Sequence, residues 1–469
     1  MQITPLWRAS ARAAVLTLCA FTLAATANAQ SNAAQPLNQV SQQLAKSSAL
    51  GSAFNRFTLS APTTPTPTPT PATEPAAQNP SQVADRIKSY DRNAPRRENL
   101  TGIKLVKHVN GLFGGFDQGA GFGGFGVEFT TADSIPGIEL RARALTSTKF
   151  YRKGEAGLYV PKLGAENSHA EVYFTYLRRT KDNFFGIGPR TTDAFETNYD
   201  LEQRSVTGAY FYDISKHLQV GGYLRQANTA IYRGADKKDK PLDQLFTGNP
   251  ATPEPLRFAP GLGANLSIFA YGFYVEANFR NNEKGLTKGF YVYERIGGNR
   301  GMGDRATGYR WTEFESDLRG YVPLGSPWTS LAVRNYVELK NPTGSNNLIP
   351  FYNESLLGGR SFVRGFHTFR FRANNLLLFS TELRQTVWKQ KDRRGVDIVG
   401  FGDGGQVWGD KRLRLPAQFS GNDRFDSRNW RFGTGVGVQY RYNKNFAVRV
   451  DYAHTNEANK IYLSLTRGF

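Results

Sequence analysis

The sequence predicts an all-β protein, a 16-stranded antiparallel transmembrane β-barrel with a short N-terminal extension. Three observations carry that expectation. Beyond residue 30, no window approaches the 18 or more continuous apolar residues that a spanning helix needs. From about Gly114 onward, apolar and polar residues alternate with a period of two, in segments separated by turn-forming clusters. Aromatic residues reach 13% and glycines number 48, yet mean hydropathy is only −0.48. Membrane barrels hide their hydrophobicity in this way, because one face of each strand meets lipid and the other a wet lumen. A soluble β-sandwich shares the aromatic and glycine excess, so composition alone leaves the two open.

Residues 1–29 read as a secretory signal. Arg8 and Arg12 form the positive flank, Ala13 to Ala25 the apolar stretch, and Ala27-Asn28-Ala29 the small-residue cleavage site. Leu18 before Cys19 is too large for a lipoprotein signal, so the expected location is the outer membrane, reached by export without lipidation. Cys19 is the only cysteine, which leaves the mature chain without thiol chemistry. Residues 30–60 are rich in Gln, Ala and Ser, with Leu37, Val40, Leu44, Leu50, Phe54 and Phe57 at roughly helical intervals. They read as a weak amphipathic helix or a disordered segment, and in either form as a candidate tether for a periplasmic partner. Residues 61–81 form a Pro/Thr-rich, extended linker, and residues 82–112 a basic periplasmic lead-in.

Residues 113–469 read as the barrel. Between Ile268 and Arg280 the odd positions Phe269, Tyr271, Phe273, Val275, Ala277 and Phe279 are apolar, while the even positions suit water. The same alternation recurs at Glu171–Arg178, Val206–Tyr212, Lys288–Arg295 and Val436–Tyr442. The longest turn clusters are Gly234–Pro260 and Asn341–Asn353. At about 22 residues per strand and turn, the region holds about 16 strands, an even number as in bacterial barrels. A barrel that wide has an aqueous lumen unless something plugs it. The last strand puts Ile461, Leu463, Leu465 and Phe469 on one face, and Arg467 among them is placed to snorkel at a membrane edge.

With 59 Lys and Arg against 39 Asp and Glu, the chain carries a formal charge of +20. Such a balance suits nucleic acid, but export removes that partner. Anionic lipid and lipopolysaccharide, an anionic solute or acidic client proteins are the partners left, beside a charge merely spread over loops. The histidines at 108, 169, 217, 367 and 454 are isolated, and neither HExxH nor GxSxG occurs, so no catalytic set, metal site or cofactor is expected. Asp451 and His454 lie near one strand end but alternate onto opposite faces. The GxGxxG string at Gly119–Gly124 lacks the strand-to-helix context of a dinucleotide site and reads as a glycine-rich first strand.

The stretch that organises the barrel is Gly358-Gly359-Arg360-Ser361-Phe362-Val363-Arg364-Gly365-Phe366. Its glycines let the backbone fold back tightly, and arginine suits an enclosed site because its fork holds two acceptors without losing charge. Followed by the strand Leu376–Arg384, by GFGDGGQVW (Gly400 to Trp408), by RFGTGVGVQYR and by a terminal phenylalanine, it resembles the BamA/TamA superfamily of outer-membrane barrels. The resemblance covers roughly residues 113–469. It implies a 16-stranded barrel that inserts or translocates other proteins, with a long extracellular loop folded into the lumen. That loop carries Val363, Arg364, Gly365 and Phe366, and its arginine meets acids on the inner wall, here Glu382 and Asp403. It also makes Ile461, Leu463, Leu465 and Phe469 an assembly signal. Gly400, Gly402, Gly404 and Gly405 either let the loop approach that wall or give the strand curvature.

The family's translocating members carry periplasmic POTRA domains, and residues 30–112 fit none. The expected clients are therefore outer-membrane or secreted proteins received by another route. A pore or lipid-handling barrel without clients is the alternative, and an outer-membrane hydrolase a third.

Overall fold

The computed structural model describes residues 101–464, leaving aside 107–108, 114–123, 132–136, 235–237, 247–258, 281–286, 347, 391–393, 410–424 and 443–446. The expected signal, tether and Pro/Thr linker lie outside the described residues, as do the GxGxxG string up to Gly123 and the tail from Leu465 to Phe469. The sheet begins earlier than residue 113, with β1 (Thr101–Val106) and β2 (Val109–Phe113) paired as a hairpin. The basic lead-in hid them, because two short strands among basic residues read like a polar linker.

The chain continues through β3 (Gly124–Thr130), β4 (Glu139–Ser147), β5 (Arg152–Val160), β6 (Ser168–Phe184), β7 (Thr197–Ser215) and β8 (Leu218–Arg233). A loop carrying the short β9 (Lys240–Pro241) and the one-turn helix α1 (Leu242–Leu245) follows. Next come β10 (Leu266–Asn278), β11 (Gly289–Met302), β12 (Arg310–Pro323) and β13 (Thr329–Pro342). A second long loop contains the small hairpin of β14 (Ser355–Leu357) and β15 (Phe371–Ala373). The chain then closes its course with β16 (Asn375–Lys389), β17 (Gly395–Trp408), β18 (Arg431–Arg441), β19 (Ala447–His454) and β20 (Asn459–Ser464). Leaving out the three short pieces β9, β14 and β15, sixteen strands run from β2 to β20, each antiparallel to the next. The longest connections, β6–β7, β8–β10, β13–β16 and β17–β18, share one end, and the other end holds turns as short as Lys216-His217 between β7 and β8.

The sheet is inside out relative to a soluble sandwich. Along β16, Phe379, Leu383 and Val387 are about half exposed on the outer face, while Ser380, Glu382 and Arg384 are buried. Along β18, Phe432, Val436 and Val438 point outward, and Gln439 and Arg441 inward. The inward charges are paired across neighbouring strands: Arg143 with Glu155, Arg295 with Glu315, Arg334 with Asp317, and Arg441 with Asp397. Apolar residues outward and balanced charges inward are what lipid outside and a polar lumen inside require. Contacts between the long loops and distant strands curl the sheet on itself, since the loop after β13 touches β6, β17 and the β19–β20 turn together.

Candidate functional site

The loop between β13 and β16 turns back at three left-handed glycines, Gly358 (φ 106°), Gly359 (φ 97°) and Gly365 (φ 103°). A side chain at Gly358 would begin 2.6 Å from the His367 carbonyl oxygen, so the tight return needs glycine. The β14–β15 hairpin closes the base of this segment. Val363 and Phe366 are fully buried and pack with Leu357, Phe371, Leu376 and Val407, which roots the tip in apolar contact with β16 and β17. Anchored on both sides in this way, Arg364 is aimed at the inner wall.

Each nitrogen of the Arg364 fork donates to a carboxylate. Its Nε donates to Asp403 Oδ2 at 2.7 Å, Nη2 to Asp403 Oδ1 at 2.8 Å, and Nη1 to Glu382 Oε1 at 2.6 Å. Its backbone N–H also donates to Asp403 Oδ2 at 3.1 Å, and its guanidinium carbon lies 3.5 Å from the centre of the Phe401 ring. The acids are held in turn: Ser380 Oγ donates to Asp403, while Arg384 and Arg449 donate to Glu382. Arg449 also pairs with Asp451, which stands 4.0 Å from Arg364. Three guanidiniums and three carboxylates thus form one neutral, hydrogen-bonded group, the condition under which buried charge is tolerated. Burial alone would lower the Arg364 pKa, but the carboxylates of Asp403 and Glu382 outweigh it and hold the group charged, above its ordinary value.

Gly433 on β18 completes the wall. A Cβ there would lie 2.0 Å from the Arg364 carbonyl oxygen, so only glycine admits the loop. Of the four glycines expected to serve this purpose, Gly405 faces the loop at Leu357 and Val363, whereas Gly400 faces open space and Gly404 faces Phe432 and Trp430. The tip also reaches the last strand, where Tyr462 Oη accepts from Gly365 N–H at 3.0 Å and donates to the Phe366 carbonyl at 3.3 Å. Arg384, Arg449, Asp451, Gly433 and Tyr462 were not singled out from sequence for this cluster. Period-two alternation marks which face a residue occupies but not which strands lie side by side. On β20 Ile461 and Leu463 point outward, exposed, and Asp451 and His454 stand apart on opposite faces of β19, Asp451 on Arg449 and His454 on Asn459.

A second anchor lies nearer the long-loop end. Arg370 is buried between Phe185 and Phe371 and grips Glu457 with Nε and Nη2 at 2.8 and 3.0 Å. Its other contacts are to Thr191, the carbonyl at 2.7 Å and Oγ1 at 3.0 Å. Arg372 donates to the Asn183 carbonyl and to Tyr199 Oη.

A model of the Omp85 superfamily domain matches residues 139–465. No curated protein matches the chain. Among solved structures, the chain is similar to BamA from Haemophilus ducreyi lacking POTRA domains 1–3, at TM-score 0.56 and 14% identity, over 81% of this chain and 75% of that one. CdiB from Escherichia coli matches at TM-score 0.47 and 12% identity, over 81% and 70%. CdiB from Acinetobacter baumannii matches at 0.43 and 12%, over 77% and 58%. The family match covers most of the strands that build the inside-out barrel, and the chain belongs to the Omp85 superfamily of outer-membrane transport and assembly barrels, which are not enzymes.

Proposed function

We propose that this barrel inserts or translocates proteins at the outer membrane, with the Val363–Phe366 loop folded into its lumen as a locked plug. The observation that carries the reading is the Arg364 fork, every nitrogen of which donates to Glu382 or Asp403. A sixteen-stranded barrel is wide enough for an aqueous channel, and an open pore has no need of a loop pinned across it by a buried ion group. A barrel that handles polypeptides needs both a sealed lumen and a fixed inner scaffold. On this reading the long-loop end faces outward and the signal at residues 1–29 delivers the chain for assembly. Outer-membrane or secreted proteins are the clients, the surrounding lipid and lipopolysaccharide are its solvent, and residues 30–60 recruit a periplasmic partner that presents the clients.

The test compares outer-membrane and secreted proteomes with and without the protein, reading lipid composition from the same samples. Selective loss of a few proteins supports insertion or translocation and identifies the clients. An unchanged proteome with altered lipid content or solute permeability overturns it in favour of a pore or lipid-handling barrel.

A further inference from the structure

Away from the Arg364 cluster, a polar cavity of about 180 Å³ opens between the loop segment Phe366–Phe369, the last strand and the wall formed by the β4–β5 turn and β6. It is far larger than the ~10–15 Å³ that admits one water. Three lysines from three elements line it: Lys149 in the β4–β5 turn, Lys181 on β6 and Lys460 on β20. None of the three lies within ion-pair distance of a carboxylate among the described residues. Asp182, the one acid in the lining, takes the Tyr151 hydroxyl and pairs with Arg179 at 2.5 Å. Glu457 is held by Arg370, while Glu196 accepts from Asn183, stands 3.7 Å from His367 Nδ1 and acts on Lys460 from beyond ion-pair distance. Lys460 Nζ lies 3.2 Å from His367 Nε2, and an ammonium can only donate, so that nitrogen accepts and the ring is neutral.

The backbone around the cavity is strained in a way the rest of the described chain is not. Among the described residues three non-glycines have left-handed φ: Phe150 (62°), Lys181 (57°) and Phe369 (58°). Lys181 and Phe369 line the cavity, and Phe150 sits between Lys149 and Tyr151, which also line it. Lys181 occupies a bulge where β6 gains a residue against β7 between Arg179 and Asp182, a place that usually takes glycine. Such conformations are costly and gather at ligand clamps.

We propose that this cavity binds a phosphate group. A phosphate monoester carries about −1.5 to −2 at neutral pH with three strong acceptor oxygens, which suits a cavity lined by three lysines, and lysine serves phosphate as a point charge. A monocarboxylate leaves two ammoniums uncompensated, and a cation is repelled. Once bound, the anion bridges β20, the loop and the β4–β6 wall, so that binding tightens the plug. The group is the phosphorylated sugar headgroup of an outer-leaflet glycolipid or a soluble phosphate.

The experiment uses the purified full chain in uncharged detergent and reads ³¹P linewidths and calorimetry with orthophosphate, with acetate as competitor. A second arm adds lipid A or phosphatidylcholine micelles. Saturable orthophosphate binding is expected, little displaced by acetate, and weakened about fivefold by each single Lys→Gln change. Displacement of orthophosphate by lipid A assigns the glycolipid; binding without displacement assigns the soluble phosphate. Heat-modified gel mobility checks folding of the triple K149Q/K181Q/K460Q variant. Should it not fold, the exposed-turn change K149Q, with K149R restoring binding, decides the matter. No saturable binding, equal displacement by acetate, or binding unchanged by these substitutions overturns the proposal. No client insertion is read, so failure here leaves the proposed function untouched.

Discussion

Arg364 holds two carboxylates with three side-chain hydrogen bonds while about 6% of its side chain meets solvent, and Glu382 and Asp403 are at 1% and 0%. A pair exposed to lumen water would contribute about 0–1 kcal/mol, but at this burial a deleted partner leaves a charge without compensation, at about 3–5 kcal/mol. The Arg364→Ala barrel should therefore lose its heat-resistant, fast-migrating gel form at a clearly lower temperature and yield faster to protease. Arg364→Lys keeps the charge but loses the fork and should fall between. If the alanine variant resists heat and protease as well as the parent, the loop is not held by this residue. The motif pointed to Arg364, Glu382 and Asp403 in advance. Arg384 and Arg449, which hold Glu382 from the same strand and from β19, carried no local signal, because an inward arginine looks alike wherever it stands.

The loop as an element depends on close approach. Gly433→Ala drives a methyl against the Arg364 carbonyl, a backbone atom that cannot give way without moving the tip. Gly400→Ala meets open space and serves as its control. Limited proteolysis at the loop arginines should accelerate in the first and stay at the parent rate in the second; equal rates would mean that the tip does not press on β18. Acidity should loosen the same element. Partial burial, then Lys460, Arg370 and Lys238, push His367 down to about 4, with Asp193 opposing, against about 6.5 when free. The undocked loop then binds more protons than the docked one between about pH 6.5 and 4, so docking weakens as pH falls through that window and changes no further below it. Comparing cleavage at pH 7 and 4.5 isolates the effect, since His367→Gln should remove this share of the acid sensitivity. An acid response identical in both proteins would exclude His367.

At the scale of the molecule, the long-loop end is tied together by arginines that join distant parts of the chain. Arg370 links the β19–β20 turn to the β6–β7 loop, Arg431 donates to the Pro189 carbonyl, and Arg190 donates to Asn429. Phe351 packs with Phe184, Tyr199, Leu242 and Phe246, which brings the β8–β10 loop onto the same cap. A lumen closed this way should show small, fluctuating currents in a planar bilayer. Arg370→Ala removes the tie between the β19–β20 turn and the β6–β7 loop and should raise and steady the conductance while leaving Arg364 in place. Unchanged currents in that variant would show that the cap does not govern the passage.

The returning loop came from the family resemblance of Gly358 to Phe366, while period-two alternation, turn clusters and the absence of long apolar runs were enough to read the sixteen strands and their lipid and lumen faces. These are properties of neighbours a few residues apart, and strand geometry imposes them directly. The start of the sheet at Thr101 escaped, since a short strand in a basic stretch and a basic linker share a composition. What only the tertiary structure decided is which inward groups meet: Arg364 with Arg449 and Asp451 through Glu382, Arg370 with Thr191, and Lys149 and Lys181 with Lys460. Those encounters depend on strand register and on the sheet curling until β4–β6 and β20 flank one loop. Both arise from pairings summed around the whole barrel, and no local stretch of sequence contains them.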